Sequence, residues 1–342
     1  MSTHERYMRR CLQLAALGAG SVAPNPMVGA VLVYGDVVVG EEYHRRYGQA
    51  HAEVNCIKDA EDRFASGEWD HLGWASSAAL LEACTLYVSL EPCAHHGKTP
   101  PCADLVIAKG IPRVVVGIRD PFKEVDGKGI DKLLKAGVEL TYPVLEDECR
   151  WLNRRFFTVH TRHRPYIVLK WAESADGFIG LPGQRVAISN AWSNRLVHRW
   201  RGEEASILVG ARTALVDDPS LTTRHWPGPN PLRLVLDPGR GLPGHLRVFD
   251  EQAPTVVYDT RDLGTVLEDL HRRSVQSVLV EGGARLLRSF IAAGLWDEVR
   301  VIRSGTIQLP GGIPAPAAPE ARLVRSFDLG EDHVSIYTSF AP

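Results

Sequence analysis

Short β-branched runs alternate with stretches of helical spacing between residues 28 and 137, and this leaves few folds open to the first half of the chain. Residues 28–34 and 37–43, joined by Gly35-Asp36, carry the signature of a β-hairpin. A helical stretch over 51–63, a strand over 85–90, a helix over 102–109, a strand over 113–118 and a helix closing at 133–137 follow in turn. Strands separated by helices favour parallel pairing under helical cover, so the expected architecture is a three-layer α/β domain with a mostly parallel sheet. Residues 64–82, with Gly67, Gly73, Trp69 and Trp74, read as a loop insertion.

A second pattern begins near Arg164-Pro165, after the polar, arginine-rich segment 154–164. Residues 166–170, 206–210, 232–236, 255–258 and 278–280 are strands of the buried type separated by helical or turn segments, which predicts a second α/β domain. A length of 342 residues, at about 150 residues per domain, fits two domains better than one core. The boundary is expected between residues 145 and 165, giving domains of 1–150 and 151–342. Residues 309–319, rich in Pro, Gly and Ala, read as a surface loop. The uncharged stretch 11–35 follows Arg9 and Arg10 and has the outline of an export signal or a membrane span. Gln13, Gly18, Gly20, Pro24, Asn25 and Pro26 break it, and Met8, Leu12, Ala15 and Ala16 mark a short amphipathic helix from about His4 instead.

The chemistry concentrates at His51-Ala52-Glu53, Glu91-Pro92-Cys93 and Cys102. His-x-Glu opening a helix and Pro-Cys directly after an apolar strand set three metal ligands at adjacent strand-to-helix junctions. Two thiolates neutralise Zn2+, a neutral imidazole fills a third position, and the fourth stays open for a water whose pKa zinc lowers to about 7. Zinc deaminases use this pattern, with the Glu off the metal as proton carrier. His51, Cys93 and Cys102 are therefore the expected ligands of one Zn2+. Glu53 is the expected catalytic residue: it takes the water's proton, delivers it to the ring nitrogen beside the amine-bearing carbon and protonates the departing ammonia. Taken singly, His51 reads as a satisfied histidine and either cysteine as a small buried hydrophobe; only the combination points to metal.

Six cysteines are too sparse for a disulfide scaffold and suit a reducing, cytoplasmic setting, with Cys11, Cys56, Cys84 and Cys149 as packing thiols. Lys and Arg number 39 against 41 Asp and Glu, a formal charge of -2. No global basic field is left to hold a nucleic acid or an anionic membrane, and a small-molecule substrate is favoured.

Eight residues separate Cys93 from Cys102, where the commonest deaminase spacing has two. The run Cys93-Ala94-His95-His96-Gly97-Lys98-Thr99-Pro100-Pro101-Cys102 resembles the deaminase domain of the bifunctional riboflavin biosynthesis enzymes. Those enzymes join a diaminohydroxyphosphoribosylaminopyrimidine deaminase to a 5-amino-6-(5-phosphoribosylamino)uracil reductase. Pro24-Asn25-Pro26-Met27-Val28-Gly29, His44-Arg45-Arg46-Tyr47-Gly48-Gln49-Ala50-His51, Asp120-Pro121 and Gly127-Lys128-Gly129 agree, so the likeness spans nearly all of residues 4–140. It implies a cytidine-deaminase-like domain in which Asn25, His44, His95, Lys98 and Asp120 contact the pyrimidine or its ribose phosphate. Phe122 departs from the family, which usually carries Asn after Asp-Pro.

No G-x-G-x-x-G follows a strand beyond residue 150, so a Rossmann fingerprint is missing. Val278-Leu279-Val280-Glu281-Gly282-Gly283-Ala284-Arg285 runs from an apolar strand through two glycines into a helix. Free backbone N–H groups at such a junction suit a phosphate, although a structural turn explains the pattern equally well. The region resembles the reductase domain of the same family, similar to dihydrofolate reductase in fold. Leu169-Lys170-Trp171-Ala172-Glu173-Ser174-Ala175-Asp176-Gly177, Trp200-Arg201, Leu208-Val209-Gly210 with Thr213, Asp217-Asp218-Pro219-Ser220-Leu221-Thr222-Thr223-Arg224 and Glu281-Gly282-Gly283 carry the likeness over about residues 164–300. It implies that Arg201, Leu221, Arg224 and Glu281 hold the ribose-phosphate substrate and that Ala172, Thr213, Asp217 and the segment from Gly283 hold NADPH. Lys170 and Asp217 are the polar groups for polarising or protonating the substrate. Ala187-Ile188-Ser189 stands where many members have Trp-Ile-Thr, and Ala175 replaces a leucine.

The implied activity is zinc-dependent hydrolytic deamination of 2,5-diamino-6-(5-phosphoribosylamino)pyrimidin-4-one. NADPH-dependent reduction of the ribosyl group then gives 5-amino-6-(5-phosphoribitylamino)uracil. A cytoplasmic homo-oligomer with a phosphorylated pyrimidine substrate, and neither nucleic-acid nor membrane partners, completes the expectation. Two rivals stand beside it. A nucleoside or nucleic-acid deaminase with an RNA-binding second domain is disfavoured by near-neutral charge and the lack of an aromatic and basic stripe. A zinc-stabilised scaffold requires a fourth protein ligand, for which His95 or His96 is at hand.

Overall fold

The computed structural model describes residues 2–95 and 100–339, and the chain divides into two compact units, Met1–Arg162 and His163–Pro342. In the first unit, α1 (Thr3–Ala16) starts at Ser2, whose hydroxyl accepts from the Glu5 N–H while the Glu5 carboxylate accepts from the Ser2 N–H. This capping box satisfies two of the donors that a helix start leaves open. The remaining elements are β1 (Gly29–Tyr34), β2 (Val37–Tyr43), α2 (Ala52–Ala65), α3 (Ser77–Leu81), β3 (Thr85–Val88), α4 (Cys102–Ala108), β4 (Arg113–Val116), α5 (Lys128–Lys135), β5 (Glu139–Thr141), α6 (Glu146–Leu152) and α7 (Arg154–Arg162).

The strand order is β2-β1-β3-β4-β5. β3 pairs in parallel with β4 and β4 with β5, but β1 pairs antiparallel with both β2 and β3. The sheet is therefore mixed rather than mostly parallel, because the hairpin lies directly against the strand that leads to Cys93. Side chains alternate between two cores. Ala30, Leu32, Leu86, Val88, Val114 and Val116 pack with α2, α3, α4 and α5. Val31, Val33, Tyr87 and Val115 pack with α1, α6 and α7, so helices cover both faces as the three-layer expectation requires.

Two segments depart from the sequence reading. Residues 64–82 hold a 3-10 turn at Asp70–Leu72 and α3, and bury Trp69, Leu80 and Leu81; the insertion is part of the core, not a bare loop. The arginine-rich stretch from 154 is helical, and the first compact unit runs on to Arg162. Cys149, Phe156 and Phe157 sit in the first unit's core. Asn153 also clamps Met27, accepting from its N–H at 2.8 Å and donating to its carbonyl at 2.8 Å.

The second unit runs β6 (Tyr166–Glu173), α8 (Ala191–Glu203), β7 (Ser206–Gly210), α9 (Ala211–Asp217), β8 (Leu232–Leu236), β9 (Thr255–Tyr258), α10 (Leu263–Arg272), β10 (Ser277–Val280), α11 (Ala284–Ala292), β11 (Glu298–Ser304), β12 (Arg322–Leu329) and β13 (Asp332–Thr338). Its eight strands are ordered β12-β13-β11-β6-β10-β7-β8-β9, parallel from β11 to β9, with β13 and β12 added antiparallel. α10 and α11 cover one core and α8 and α9 the other. The parallel strands end together at β6, β7 and β10, where the carboxyl ends of such a sheet open a crevice. Among the described residues no helix is long and apolar enough to cross a membrane.

Candidate active sites

Strand-to-helix junctions build the site in the first unit. His51 is the N-cap of α2, with extended backbone at φ -72° and ψ 168°; Cys93 follows β3; Cys102 opens α4. Their ligand atoms all lie within 4.8 Å of one another. His51 Nδ1 is 3.6 Å from Cys93 Sγ and 3.3 Å from Cys102 Sγ. One imidazole nitrogen and two sulfurs at this spacing fit a tetrahedral Zn2+ with one position open. Among the described residues no fourth His, Cys, Asp or Glu joins the group; His95 stands outside it, and His96 lies outside the described residues. The scaffold reading therefore lacks its closing ligand among the described residues.

Cys93 is held as a thiolate down to about 4 by hydrogen bonds from the Cys102 thiol, which outweigh burial, and by His51. Cys102 is pushed up as the proton-holding partner of Cys93 and by burial. The Cys102 N–H also donates to Cys93 Sγ at 3.3 Å. One sulfur is thus ready for a cation, and the second gives up its proton on binding. Glu53 lies in the first turn of α2, is 3% exposed, and has its carboxyl pushed up to about 7 by burial.

The expected substrate residues fall around this centre, with one exception. Asn25 Nδ2 donates to His44 Nε2 at 3.2 Å, and His44 Nδ1 donates to the Ala50 carbonyl at 3.0 Å, a pattern that needs a neutral ring. Burial lowers the His44 pKa in the same sense, and its ring stands edge-on to His51 at 5.4 Å. His95 Nδ1 is buried with no hydrogen-bond partner among the described residues. Asp120 is buried, its carboxyl pushed up to about 7 by burial while accepting the Phe122 N–H at 2.8 Å. Phe122 packs edge-on against His95 at 5.9 Å and tilted against His160 at 5.0 Å, an aromatic wall in place of a polar group. Lys98 lies outside the described residues. The four thiols kept for packing, Cys11, Cys56, Cys84 and Cys149, are all buried.

Glu91 has a function that its motif did not disclose. Its buried carboxylate accepts four backbone N–H groups: Asp120 at 3.2 Å, Gly127 at 3.0 Å, Gly129 at 2.9 Å and Ile130 at 3.2 Å. The loop carrying Asp120 is thereby tied to the residue two before Cys93. A Cβ on Gly129 would stand 1.9 Å from the Pro92 carbonyl oxygen. Gly129→Ala is expected to destabilise the first unit by about 1–3 kcal/mol through overpacking and, by displacing Pro92, to weaken zinc binding. Thermal melts and zinc titration of the full chain check both effects.

In the second unit a cleft of about 310 Å³ opens where β6, β7 and β10 end. Lys170, Ala172, Arg201, Thr213, Asp217, Arg224, Glu281 and Gly283 all line it, from five separate segments. Leu221 does not: its side chain is 2% exposed in the core, and its backbone is left-handed at φ 55°. Arg201 grips Glu281 bidentately, Nε to Oε1 at 3.0 Å and Nη2 to Oε2 at 2.7 Å, and Lys170 Nζ stands 4.0 Å from the same carboxylate. Burial alone would raise the Glu281 pKa, but Arg201 and Lys170 hold it down to about 2. Burial lowers the pKa of Lys170, partly offset by Glu281.

One expectation needs correcting here. The Gly283 N–H is not free for an anion, since it donates to Thr213 Oγ1 at 3.1 Å. The glycine junction is pinned to α9, and Thr213 acts as its anchor. Sequence reading missed His198, three residues before Arg201 on α8 and so on the same helix face. Its ring lines the cleft edge-on to His225 at 4.6 Å, and burial with Arg201 and Arg224 lowers its pKa to about 4. Arg185, beside Ala187 in the cleft wall, was also overlooked; with Arg201, Arg224 and Arg247 it gives the cleft a locally positive lining inside a chain of net charge -2.

Residues 1–118 match the family model of the cytidine and deoxycytidylate deaminase zinc-binding region, and residues 165–307 match that of the RibD C-terminal domain. The riboflavin biosynthesis protein RibD of Aquifex aeolicus is 37% identical over 321 residues, covering 87% of this chain and 85% of the relative. RibD of Escherichia coli is 31% identical over 374 residues, 96% and 97% of the two chains. A crystal structure of a diaminohydroxyphosphoribosylaminopyrimidine deaminase/5-amino-6-(5-phosphoribosylamino)uracil reductase from Thermotoga maritima superposes with a TM-score of 0.86 at 34% identity over 98% of both chains. Acinetobacter baumannii RibD does so with a TM-score of 0.87 at 28% identity, again over 98% of both.

Proposed function

The chain belongs to the RibD family of bifunctional riboflavin biosynthesis enzymes, a zinc-binding deaminase domain followed by an NADPH-dependent reductase domain of dihydrofolate-reductase-like fold, and on that premise we propose how its own residues carry the two steps. In the first unit His51, Cys93 and Cys102 hold one Zn2+, which when bound acidifies a water to supply the nucleophile. Glu53 would take up the water's proton at its buried carboxylate and hand it to the ring nitrogen beside the amine-bearing carbon; a second proton, from the hydroxyl added to that carbon, would pass through Glu53 to the amine as the C–N bond breaks, the carbonyl forms and ammonia leaves. Asn25, His44, His95, Lys98 and Asp120 seat the pyrimidine and its ribose phosphate, with the neutral His44 fixing the Asn25 amide.

In the second unit Ala172, Thr213, Asp217 and the segment from Gly283 hold NADPH, which when bound supplies a hydride for the ribose C1′. Arg201, Arg224, Glu281 and the backbone at Leu221 hold the ribose phosphate. Lys170 and Asp217 stand at the same cleft as the groups that polarise or protonate the sugar. The substrate is 2,5-diamino-6-(5-phosphoribosylamino)pyrimidin-4-one, leaving as 5-amino-6-(5-phosphoribitylamino)uracil. A phosphorylated small molecule, not RNA, accords with the cations gathered in the cleft of a chain whose net charge is -2, and a cytoplasmic homo-oligomer completes the reading. Light scattering gives the assembly, and a salt-dependent RNA-binding assay excludes the rival.

The convergence of His51, Cys93 and Cys102 beside the buried Glu53 carries this reading. Glu53→Gln keeps the ligand set and removes the proton carrier. Deamination is expected to fall by about 10²–10⁴-fold, with zinc content and NADPH oxidation on the deaminated substrate unchanged. Ammonia release at the wild-type rate with zinc still bound would remove Glu53 from the mechanism.

A further inference from the structure

Arg233 on β8, which no motif singled out, is 0% exposed and the largest of the fully buried side chains among the described residues. A guanidinium sealed from water needs protein acceptors for its donors. Nη1 donates to the Ser220 carbonyl at 3.4 Å, the Arg247 carbonyl at 3.0 Å and Asp250 Oδ1 at 2.8 Å. Nη2 donates to the Asp250 carbonyl at 2.5 Å and to the Ala253 carbonyl. One carboxylate balances the charge; the other four bonds go to backbone carbonyls in two segments remote in sequence, around 220 and 247–253.

Those segments form a wall of the reductase cleft, which Pro219, Ser220 and Arg224 line from one and Arg247 from the other. A second tie joins them. Asp218 Oδ1 accepts the Arg247 N–H at 2.7 Å and Oδ2 accepts its Nε at 3.0 Å. The first segment also holds two non-glycine residues in left-handed backbone, Asp218 at φ 38° and Leu221 at φ 55°. Such conformations are strained for residues with a side chain and persist only where the surroundings over-determine them. The two bonds from Arg247 to Asp218, with Arg233 holding the Arg247 carbonyl and reaching the Ser220 carbonyl at a longer 3.4 Å, supply that constraint.

We infer that Arg233 is a positioning residue for the reductase step, fixing through backbone carbonyls the wall that seats the phosphoribosyl end of the substrate. This rests on the assignment of Arg224 and Leu221 to substrate made above. Of the residues assigned to NADPH, Ala172, Thr213 and Gly283 sit on β6, on α9 and before α11, where Arg233 makes no hydrogen bond among the described residues, and only Asp217, at the end of α9, adjoins the tied turn. A displaced wall should therefore raise the KM for substrate and leave the cofactor in place.

The test uses the full chain with 5-amino-6-(5-phosphoribosylamino)uracil as substrate, NADPH binding followed by fluorescence, and a thermal melt of each variant. Arg233→Met should raise the substrate KM about 10- to 100-fold, the scale of a misplacement near 1 Å, with NADPH Kd within about threefold. Arg233→Lys, with charge but no planar fork, should fall between it and the wild type. Asp218→Ala, which cuts the second tie at an exposed side chain, should raise KM in the same selective way, and it decides the matter even if Arg233→Met fails to fold. Unchanged substrate KM in both Arg233→Lys and Asp218→Ala overturns the inference, and so does a parallel rise in substrate KM and NADPH Kd, the mark of general loosening. Were Arg224→Ala to leave KM unaltered, the substrate assignment would fail instead, separately from Arg233.

Discussion

Cys93→Ser is expected to abolish zinc binding and deamination together while reduction of already deaminated substrate continues at the wild-type rate. The sulfur at Cys93 is the one the site keeps ionised, with a pKa held down to about 4. A serine hydroxyl stays protonated there and offers neither the charge nor the soft donor that zinc requires. The loss in metal affinity should exceed the roughly 10- to 100-fold produced by removing an outer partner of a ligand. Zinc per chain, measured by mass spectrometry, and ammonia release in the same sample give the readout. One zinc per chain together with undiminished ammonia release would sink the ligand assignment. Normal reduction in that sample is the internal control, since the second cleft contains none of these residues.

Arg201→Leu should produce the opposite pattern: reduction lost, deamination kept, and the second unit destabilised. Arg201 and Glu281 are 12% and 9% exposed, so the substitution strands a carboxylate that is nearly sealed from water. Breaking a buried pair from one side costs about 3–5 kcal/mol. For a unit of this size that corresponds to a drop of roughly 6–20 °C in its melting temperature. Lys170, 4.0 Å from the same carboxylate, cannot replace a bidentate grip with its single point charge. Arg201→Leu/Glu281→Leu should return part of the stability, not all of it, because Lys170 then loses the carboxylate that offsets its burial, and should not restore turnover. A single Arg201→Leu variant with wild-type substrate KM would show that the arginine serves the fold alone.

The metal centre was the most legible part of the sequence because its information is local. His51, Cys93 and Cys102 each sit at the start of a helix or the end of a strand, where pattern and chemistry can be read together. The direction of β1 was not legible in the same way: a hairpin signature says that two strands pair, not which of them lies against β3. β11 escaped because its periodicity is masked by charge. Glu298 and Arg300 are buried within it, Arg300 donating to Glu298 at 2.6 Å and to Glu204 at 3.1 Å, so an interior strand reads as polar. The segment from 154 misled in the converse direction, since its arginines lie on one face and Phe156 and Phe157 on the other. The Gly282-Gly283 junction was placed correctly before α11. That its N–H is already taken by Thr213, 70 residues away in sequence, follows only from the tertiary fold.

The four N–H groups gathered by Glu91 bear on any attempt to move this catalyst to another scaffold. A graft of the three ligands and Glu53 would copy the atoms that touch metal and leave behind the residues that keep Pro92 from drifting. The smallest transferable unit extends to Ile130, 28 residues past the last ligand (130 − 102), because Asp120, Gly127, Gly129 and Ile130 close the clasp around Glu91. Minimised enzymes that stop at α4 should bind zinc loosely, however faithfully the His-x-Glu and Pro-Cys segments are reproduced.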